Sequence, residues 1–254
     1  MLASLLLAAL GVQGLVVQGY DPAVNDRFSS GFPDAPVPNE SPKFIGKGLD
    51  WSGVGWKNTD PRFSVALLSS RNFAYSKHAP PEIGGPITFL GGDGHLHQFH
   101  VAKLQSVEIG KSGTNSIFSD TGVGTFEETV ALSYQMAHYP VAFSKKGIEP
   151  FIGEKILTYG KLARVGANEI VEGIMLEGMA SEYNFNTRGL SAGMGTSEVG
   201  DSGSPAFIVV GGKLALVGTH WKIDTDSMVS GIIPAMNALM AEDGGKLEVI
   251  PLEN

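Results

Sequence analysis

Short runs of hydrophobic residues recur along the chain from Pro42 onward. Some runs are continuous and others alternate with polar positions, and alternation with a period of two is typical of a half-buried strand. Clusters of Gly, Asn, Asp and Pro between the runs are typical of turns. The pattern therefore predicts a succession of strands, of which seven are the clearest: residues 64–68, 87–90, 98–104, 156–162, 169–176, 206–210 and 213–217.

A helical period is clear only near the C-terminus. Ile233, Met236, Leu239 and Met240 fall on one face of a helix predicted over residues 233–241, and Pro234 suits its first turn. Many short strands followed by a single helix predict an all-β barrel or sandwich rather than an α/β alternation.

The N-terminus has a different pattern. Residues 1–19 are almost wholly apolar and predict a secretory signal peptide, with Gly14 or Gly19 at the end of the cleavage motif. No Lys or Arg precedes this run, so a truncated start or an uncleaved anchor is the alternative. We expect a secreted or periplasmic protein with no stable membrane insertion beyond this segment. The polar, Pro-rich residues 20–43 are predicted to be extended.

Composition narrows the possible functions. The chain has 254 residues, of which 43% are hydrophobic, so it can bury one large β core or two smaller ones. Its net charge of −8, with Lys and Arg scattered singly, argues against nucleic acid as a partner. The absence of cysteine excludes disulfides and thiolate metal sites.

The stretch EVGDSGSPAF, residues 198–207, is the strongest motif. Its Ser202 lies between two glycines, but Ser204 stands where an α/β-hydrolase elbow requires glycine, and no helix pattern follows. The motif resembles the nucleophile loop of chymotrypsin-like serine proteases in its bacterial Gly-Ser-Pro form. In such a loop the backbone amides of Gly200 and Ser202 can converge into an oxyanion hole, which glycine favours by its freedom of backbone angle.

A nucleophilic serine needs a base and a residue that orients the base. The segment SVALLSSRNFAYSKHA, which ends just after His78, resembles the family's strand, turn and second strand before its base. It departs from the family at Ser76 and Lys77, where two small residues are usual. Asp120, which begins the stretch DTGVGTF, resembles the family's orienting carboxylate. The order His78, Asp120, Ser202 is also that of this family.

The resemblance extends from about residue 63 to residue 240. It implies two six-stranded Greek-key β-barrels around a cleft and a C-terminal α-helix, with an N-terminal barrel over residues 44–140 and a C-terminal barrel over residues 141–254. It further implies a secreted serine endopeptidase that acts on polypeptides through an acyl-enzyme and needs no cofactor.

The S1 pocket that binds the substrate residue before the cleaved bond is assigned by the same resemblance. Its walls would be Thr196 and Ser197 on one side and His220 and Trp221 on the other. The segment LVGTHW is similar to one in bacterial glutamyl endopeptidases, where a histidine and a hydroxyl residue bind an acidic side chain. Lys222 would add positive charge. The alternative is that His220 only packs beside Trp221 in a pocket for neutral side chains.

Two other interpretations compete with these assignments. His95 and His97 share a strand face and suggest a metal site, but the preceding Asp-Gly is a hairpin signal, so we expect exposed hairpin histidines and no metal. The alternative function is a catalytically inactive protease-fold protein that binds a peptide or protein partner. Lys77 and the weak motif around Asp120 favour this alternative, whereas His78 and Ser202 together argue against it.

Overall fold

The computed structural model describes residues 15–57, 59–174, 184–189, 195–196, 201–222 and 225–252. Strands predominate within these ranges, which contain one short α-helix near the N-terminus and a nine-residue α-helix near the C-terminus. The predicted all-β fold with a C-terminal helix is confirmed.

Short elements precede the first barrel. They are β1 (Val16–Val17), α1 (Pro22–Asn25), β2 (Phe28–Ser30) and β3 (Val37–Pro38). The prediction that residues 20–43 are extended is therefore wrong in part. The side chain of Asp21 accepts a hydrogen bond from the amide of Ala23 and so caps a helical turn. β2 and β3 form an antiparallel pair, and Phe28 is buried, which ties this polar segment to the rest of the molecule.

The first barrel is closed and consists only of antiparallel pairs. It contains β4 (Val54–Lys57), β5 (Asp60–Leu67), β6 (Asn72–Ser76), β7 (Pro86–Leu90), β8 (Leu96–Ser112) and β9 (Asn115–Phe126). Around the barrel the order is β4, β5, β6, β9, β8, β7, and β7 pairs again with β4. The fourth strand in sequence thus lies beside the first, as in a Greek key.

The second barrel repeats this arrangement. The remaining strands are β10 (Val141–Phe143), β11 (Lys155–Gly160), β12 (Arg164–Gly173), β13 (Asn184–Gly189), β14 (Gly195–Thr196), β15 (Pro205–Val210), β16 (Lys213–Lys222), β17 (Thr225–Met228) and β18 (Val249–Pro251). The barrel order is β11, β12, β13, β17, β16, β15, and β15 closes on β11. Both barrels therefore follow the same path, and the prediction of two six-stranded Greek-key barrels is confirmed. β10 and β18 extend the second sheet in parallel.

Three hydrophobic clusters fill the molecule. Two lie inside the barrels, one around Phe73 and Phe126 and the other around Ile156 and Phe185. The third lies between the barrels and includes residues of both, such as Val123 and Phe207. Because this third cluster is continuous from barrel to barrel, it fixes the two barrels against each other.

The C-terminal helix, α2 (Ile233–Ala241), has the predicted bounds. Ile233, Met236 and Met240 are buried in the cluster between the barrels, and Leu239 is partly buried against it. The helix thus packs its apolar face against the junction of the barrels. This buried face is the one that the helical period of the sequence predicted.

The end of the apolar N-terminal run belongs to the fold. Leu15 is fully buried, and β1 pairs with β14. Residues 1–14 of the predicted signal peptide lie outside the described residues. Among the residues that are described, no helix has the length and apolar character needed to cross a membrane.

Candidate active site

Strand pairing brings His78 and Asp120 together. Asn72 to Ser76 of β6 pair with Thr125 to Thr121 of β9, so the residue after Ser76 meets the residue before Thr121. The amide of Lys77 continues the ladder by donating to the carbonyl of Asp120 at 2.6 Å. His78 therefore begins its loop directly beside the Asp120 carboxylate.

The carboxylate of Asp120 holds His78 at two points. Its Oδ1 accepts from the backbone amide of His78 at 3.1 Å, and its Oδ2 lies 2.9 Å from His78 Nδ1. Asp120 is 7% exposed. A mostly buried carboxylate in this position favours the tautomer that carries its proton on Nδ1 and leaves Nε2 free to accept.

The third predicted residue completes the cluster. Ser202 Oγ lies 2.7 Å from His78 Nε2, within hydrogen-bond distance. His78, Asp120 and Ser202, which are far apart in the sequence and belong to different barrels, thus form one chain of contacts. We call these three residues the His-Asp-Ser cluster.

Two glycines explain why the strand of Asp120 is less apolar than the motif prefers. Gly122 pairs with Tyr75, and Gly124 pairs with Phe73. A side chain at Gly122 would meet the Tyr75 ring at 2.5 Å, and one at Gly124 would collide with the Phe73 ring. The glycines leave room for two rings across the strand pair, and this packing holds β9 and Asp120 against β6.

Tyr75 is a buried neighbour of the Asp120 carboxylate. Burial and the nearby Asp120 carboxylate raise the pKa of Tyr75 to about 12. The tyrosine therefore stays neutral at physiological pH.

The loop of Ser202 is anchored on the second barrel. The amide of Gly203 donates to the carbonyl of His220 at 3.0 Å, and the amide of His220 donates to the carbonyl of Ser204 at 2.9 Å. Gly203 has a φ of +81°, a left-handed conformation that glycine adopts without strain. The Asp201 carboxylate accepts from the amide of Lys161 at 2.7 Å. These bonds hold Ser202 at the tip of a turn.

Buried hydroxyl pairs join the barrels around the cluster. Thr121 and Thr219 contact each other through their hydroxyl oxygens at 2.7 Å, and Ser119 and Ser227 do so at 2.9 Å. A third pair joins Ser64 to Ser204 at 3.1 Å. Each bond links a strand of the first barrel to the second barrel, so together they set the distance between His78 and Ser202.

Lys77 points away from the imidazole. The side chain is exposed, and its ammonium lies 5.4 Å from the centre of the Phe118 ring, within the range of a cation–π contact. The departure from the family pattern at this position therefore leaves the contact between His78 and Ser202 intact.

The predicted S1 and oxyanion residues are only partly described. Gly200 and Ser197 lie outside the described residues, and of Thr196 only the backbone is described, in β14. His220 is buried in β16, and its Nδ1 lies 3.1 Å from Oδ1 of Asp226. Trp221 is partly buried, with the Lys222 ammonium 4.4 Å from its ring centre. The bond from His220 to Asp226 was not foreseen from the sequence, since the two residues meet only through strand pairing.

Of the two hairpin histidines, His95 is exposed as predicted, whereas His97 is half-buried, so the prediction of an exposed side chain is wrong for His97. His97 Nε2 lies 2.9 Å from Asp93, and its ring stacks on Tyr134. His95 is exposed at the turn between β7 and β8. Within the described ranges, no group of three or more His, Cys, Asp or Glu side chains is arranged to hold a metal ion.

No protein-family model matches the chain, and no curated protein matches it either. Any assignment of function therefore depends on the geometry described above and on the sequence motifs.

Proposed function

We propose that this protein is a serine endopeptidase of the chymotrypsin-like type. The observation that carries the proposal is the position of His78, whose two ring nitrogens contact Asp120 on one side and Ser202 on the other. The common strand order of the two barrels supports the family assignment, since it provides the architecture that the resemblance implies.

The geometry supports the following reaction. Ser202 Oγ attacks the carbonyl carbon of a peptide bond while His78 Nε2 accepts the serine proton. The imidazolium, compensated by Asp120, then gives this proton to the departing amine, and an ester between Ser202 and the acyl part of the substrate remains. A water molecule, deprotonated by His78, hydrolyses the ester and regenerates Ser202. In this proposal the amides of Gly200 and Ser202 stabilise the oxyanion.

The contacts favour this function over an inactive binding module. The main argument for inactivity was Lys77, and its ammonium lies over Phe118 rather than between His78 and Ser202. A protein that only binds a partner has no need of a serine within 2.7 Å of a histidine that is held by an aspartate.

A serine-directed fluorophosphonate tests this proposal. We expect the purified wild-type protein to be labelled stoichiometrically. We expect no labelling of Ser202→Ala and at least a thousandfold slower labelling of His78→Ala, because both residues act in one step. Circular dichroism controls for folding. A folded wild-type protein that resists labelling would favour the binding module.

We also propose that the S1 pocket accepts an acidic side chain. His220 supports this because its backbone is hydrogen-bonded to Gly203 and Ser204, the two residues that directly follow Ser202. With Nδ1 directed to Asp226, its Nε2 can donate to a substrate carboxylate when the ring carries both protons. A neutral pocket remains the competing proposal.

For localisation, we propose export to the outside of the cell or to the periplasm. The support is the apolar N-terminal run. Of the two predicted ends of the cleavage motif, Gly14 is favoured over Gly19, because cleavage after Gly19 would remove the buried Leu15 and the strand β1.

A further inference from the structure

A fourth polar side chain touches the His-Asp-Ser cluster. Ser76 is the last residue of β6 and is 1% exposed. Its Oγ lies 2.7 Å from Asp120 Oδ2 and 2.8 Å from His78 Nδ1. The sequence marked Ser76 only as a departure from the family pattern before the histidine and did not predict these contacts.

The chemistry of the three groups fixes the direction of these bonds. An ionised carboxylate can only accept, so the hydroxyl of Ser76 donates to Asp120 Oδ2. The remaining lone pairs of the serine oxygen then face His78 Nδ1. The proton on Nδ1 is therefore shared between Ser76 Oγ and Asp120 Oδ2, and Ser76 closes a triangle with His78 and Asp120.

Packing leaves Ser76 little freedom. It pairs with Thr121, the residue after Asp120, in the ladder between β6 and β9. From the other barrel Gly203 approaches so closely that a Cβ there would lie 3.2 Å from both Cβ and N of Ser76. Ser76 is thus held by the strand that carries Asp120 and by the loop that carries Ser202.

We propose that Ser76 is a positioning residue of the reaction, which acts by holding the Asp120 carboxylate and the His78 ring in the orientation that presents Nε2 to Ser202. This role rests on the proposed function. It accounts for a buried hydroxyl at a position where a small apolar residue would fill the space without a hydrogen bond. Hydrogen bonds to charged groups are among the stronger ones in proteins, so losing this one has a measurable effect.

The test compares two serine-to-alanine variants. Ser76→Ala removes the hydroxyl at the cluster. Ser52→Ala is the matched control, since Ser52 is also buried in the first half of the chain and donates to an aspartate, Asp50, at 2.6 Å. We expect about tenfold lower kcat for Ser76→Ala on a peptide substrate, with KM unchanged, because the loss concerns orientation during proton transfer and not substrate binding. Ser52→Ala should match the wild type.

A spectroscopic measurement separates positioning from general stability. The Nδ1 proton of His78 should give a resonance in the NMR spectrum of the wild-type protein whose chemical shift changes in Ser76→Ala and stays the same in Ser52→Ala. Equal kcat in all three proteins, or equal losses in both variants, would overturn the role of Ser76 while the wild-type activity stands. A wild-type protein that neither hydrolyses peptides nor reacts with fluorophosphonate would instead overturn the proposed function, and the role of Ser76 with it.

Discussion

At the scale of single residues, the members of the His-Asp-Ser cluster could be predicted from the sequence, but their supporting contacts could not. His78, Asp120 and Ser202 could be predicted because each lies in a recognisable local motif, and all three prove to be in contact. The bond of Ser76 to Asp120 and that of His220 to Asp226 could not, since each depends on strand register. Register is a property of two segments, and a motif within one segment carries no information on it.

The proposed acidic preference is a prediction at this scale. Wild-type protein should cleave a peptide with Glu before the scissile bond at least tenfold more efficiently, in kcat/KM, than the same peptide with Gln. His220→Gln should lose most of this difference because it removes the imidazole that is proposed to bind the substrate carboxylate, while cleavage of a peptide with Leu at that position should change little. Equal kcat/KM for Glu and Gln in the wild type would support the neutral pocket instead.

At the scale of elements, short continuous hydrophobic runs predicted strands well. Residues 64–68 and 206–210 lie in or beside β5 and β15, respectively. The predicted strand over residues 156–162 ends earlier, at Gly160, because Leu162 and Ala163 adopt positive φ angles that break the ladder. In β9 the hydrophobic pattern is interrupted by Gly122 and Gly124. Glycine is needed at both positions because aromatic rings on the neighbouring strand occupy the space of a side chain.

A glycine substitution tests the aromatic packing between β6 and β9. Gly124→Ala should destabilise the protein by about 1–3 kcal/mol, because the added methyl group collides with the buried Phe73 ring. Gly110→Ala is the matched control in β8 of the same hairpin, since a Cβ there has no atom within 4 Å. The midpoint of urea unfolding measures the change. Similar midpoints for both variants would contradict this account of how β9 is held.

At the scale of the whole molecule, the closure of each barrel was implied by the resemblance and not by the hydrophobic pattern. The hydrophobic pattern alone was compatible with either a barrel or a sandwich, because it describes each strand separately and not how the strands pair. Closure depends on pairs between distant strands, such as β4 with β7 and β11 with β15. Around the proposed site the barrels meet through hydroxyl pairs such as Thr121 with Thr219, which no sequence pattern distinguishes from exposed polar positions.

Global stability should depend on pH through His138, which precedes the first strand of the second sheet. Burial lowers the pKa of His138 from its ordinary value of 6.5. The unfolded chain therefore binds a proton there more readily than the folded protein, so this residue's contribution to stability is present above about pH 6.5 and is lost as the pH falls through the folded pKa.

Thermal melting checks this prediction. Between pH 7.5 and about pH 5, the melting temperature of the wild type should fall more steeply than that of His138→Gln. His95→Gln, a change at the exposed turn between β7 and β8, serves as the control and should follow the wild type. Parallel curves for His138→Gln and the wild type would contradict the prediction.

The acyl-enzyme on Ser202 provides the most direct test of the central claim. A chromogenic peptide ester should release product in a burst of one equivalent per protein molecule, and peptide mapping by mass spectrometry after acid quenching should locate the acyl group on Ser202. Neither burst nor adduct should form with Ser202→Ala. If turnover occurs without a burst, the location of the acyl group found by peptide mapping decides the claim. An acyl group on any other residue would contradict the claim, as would hydrolysis by Ser202→Ala.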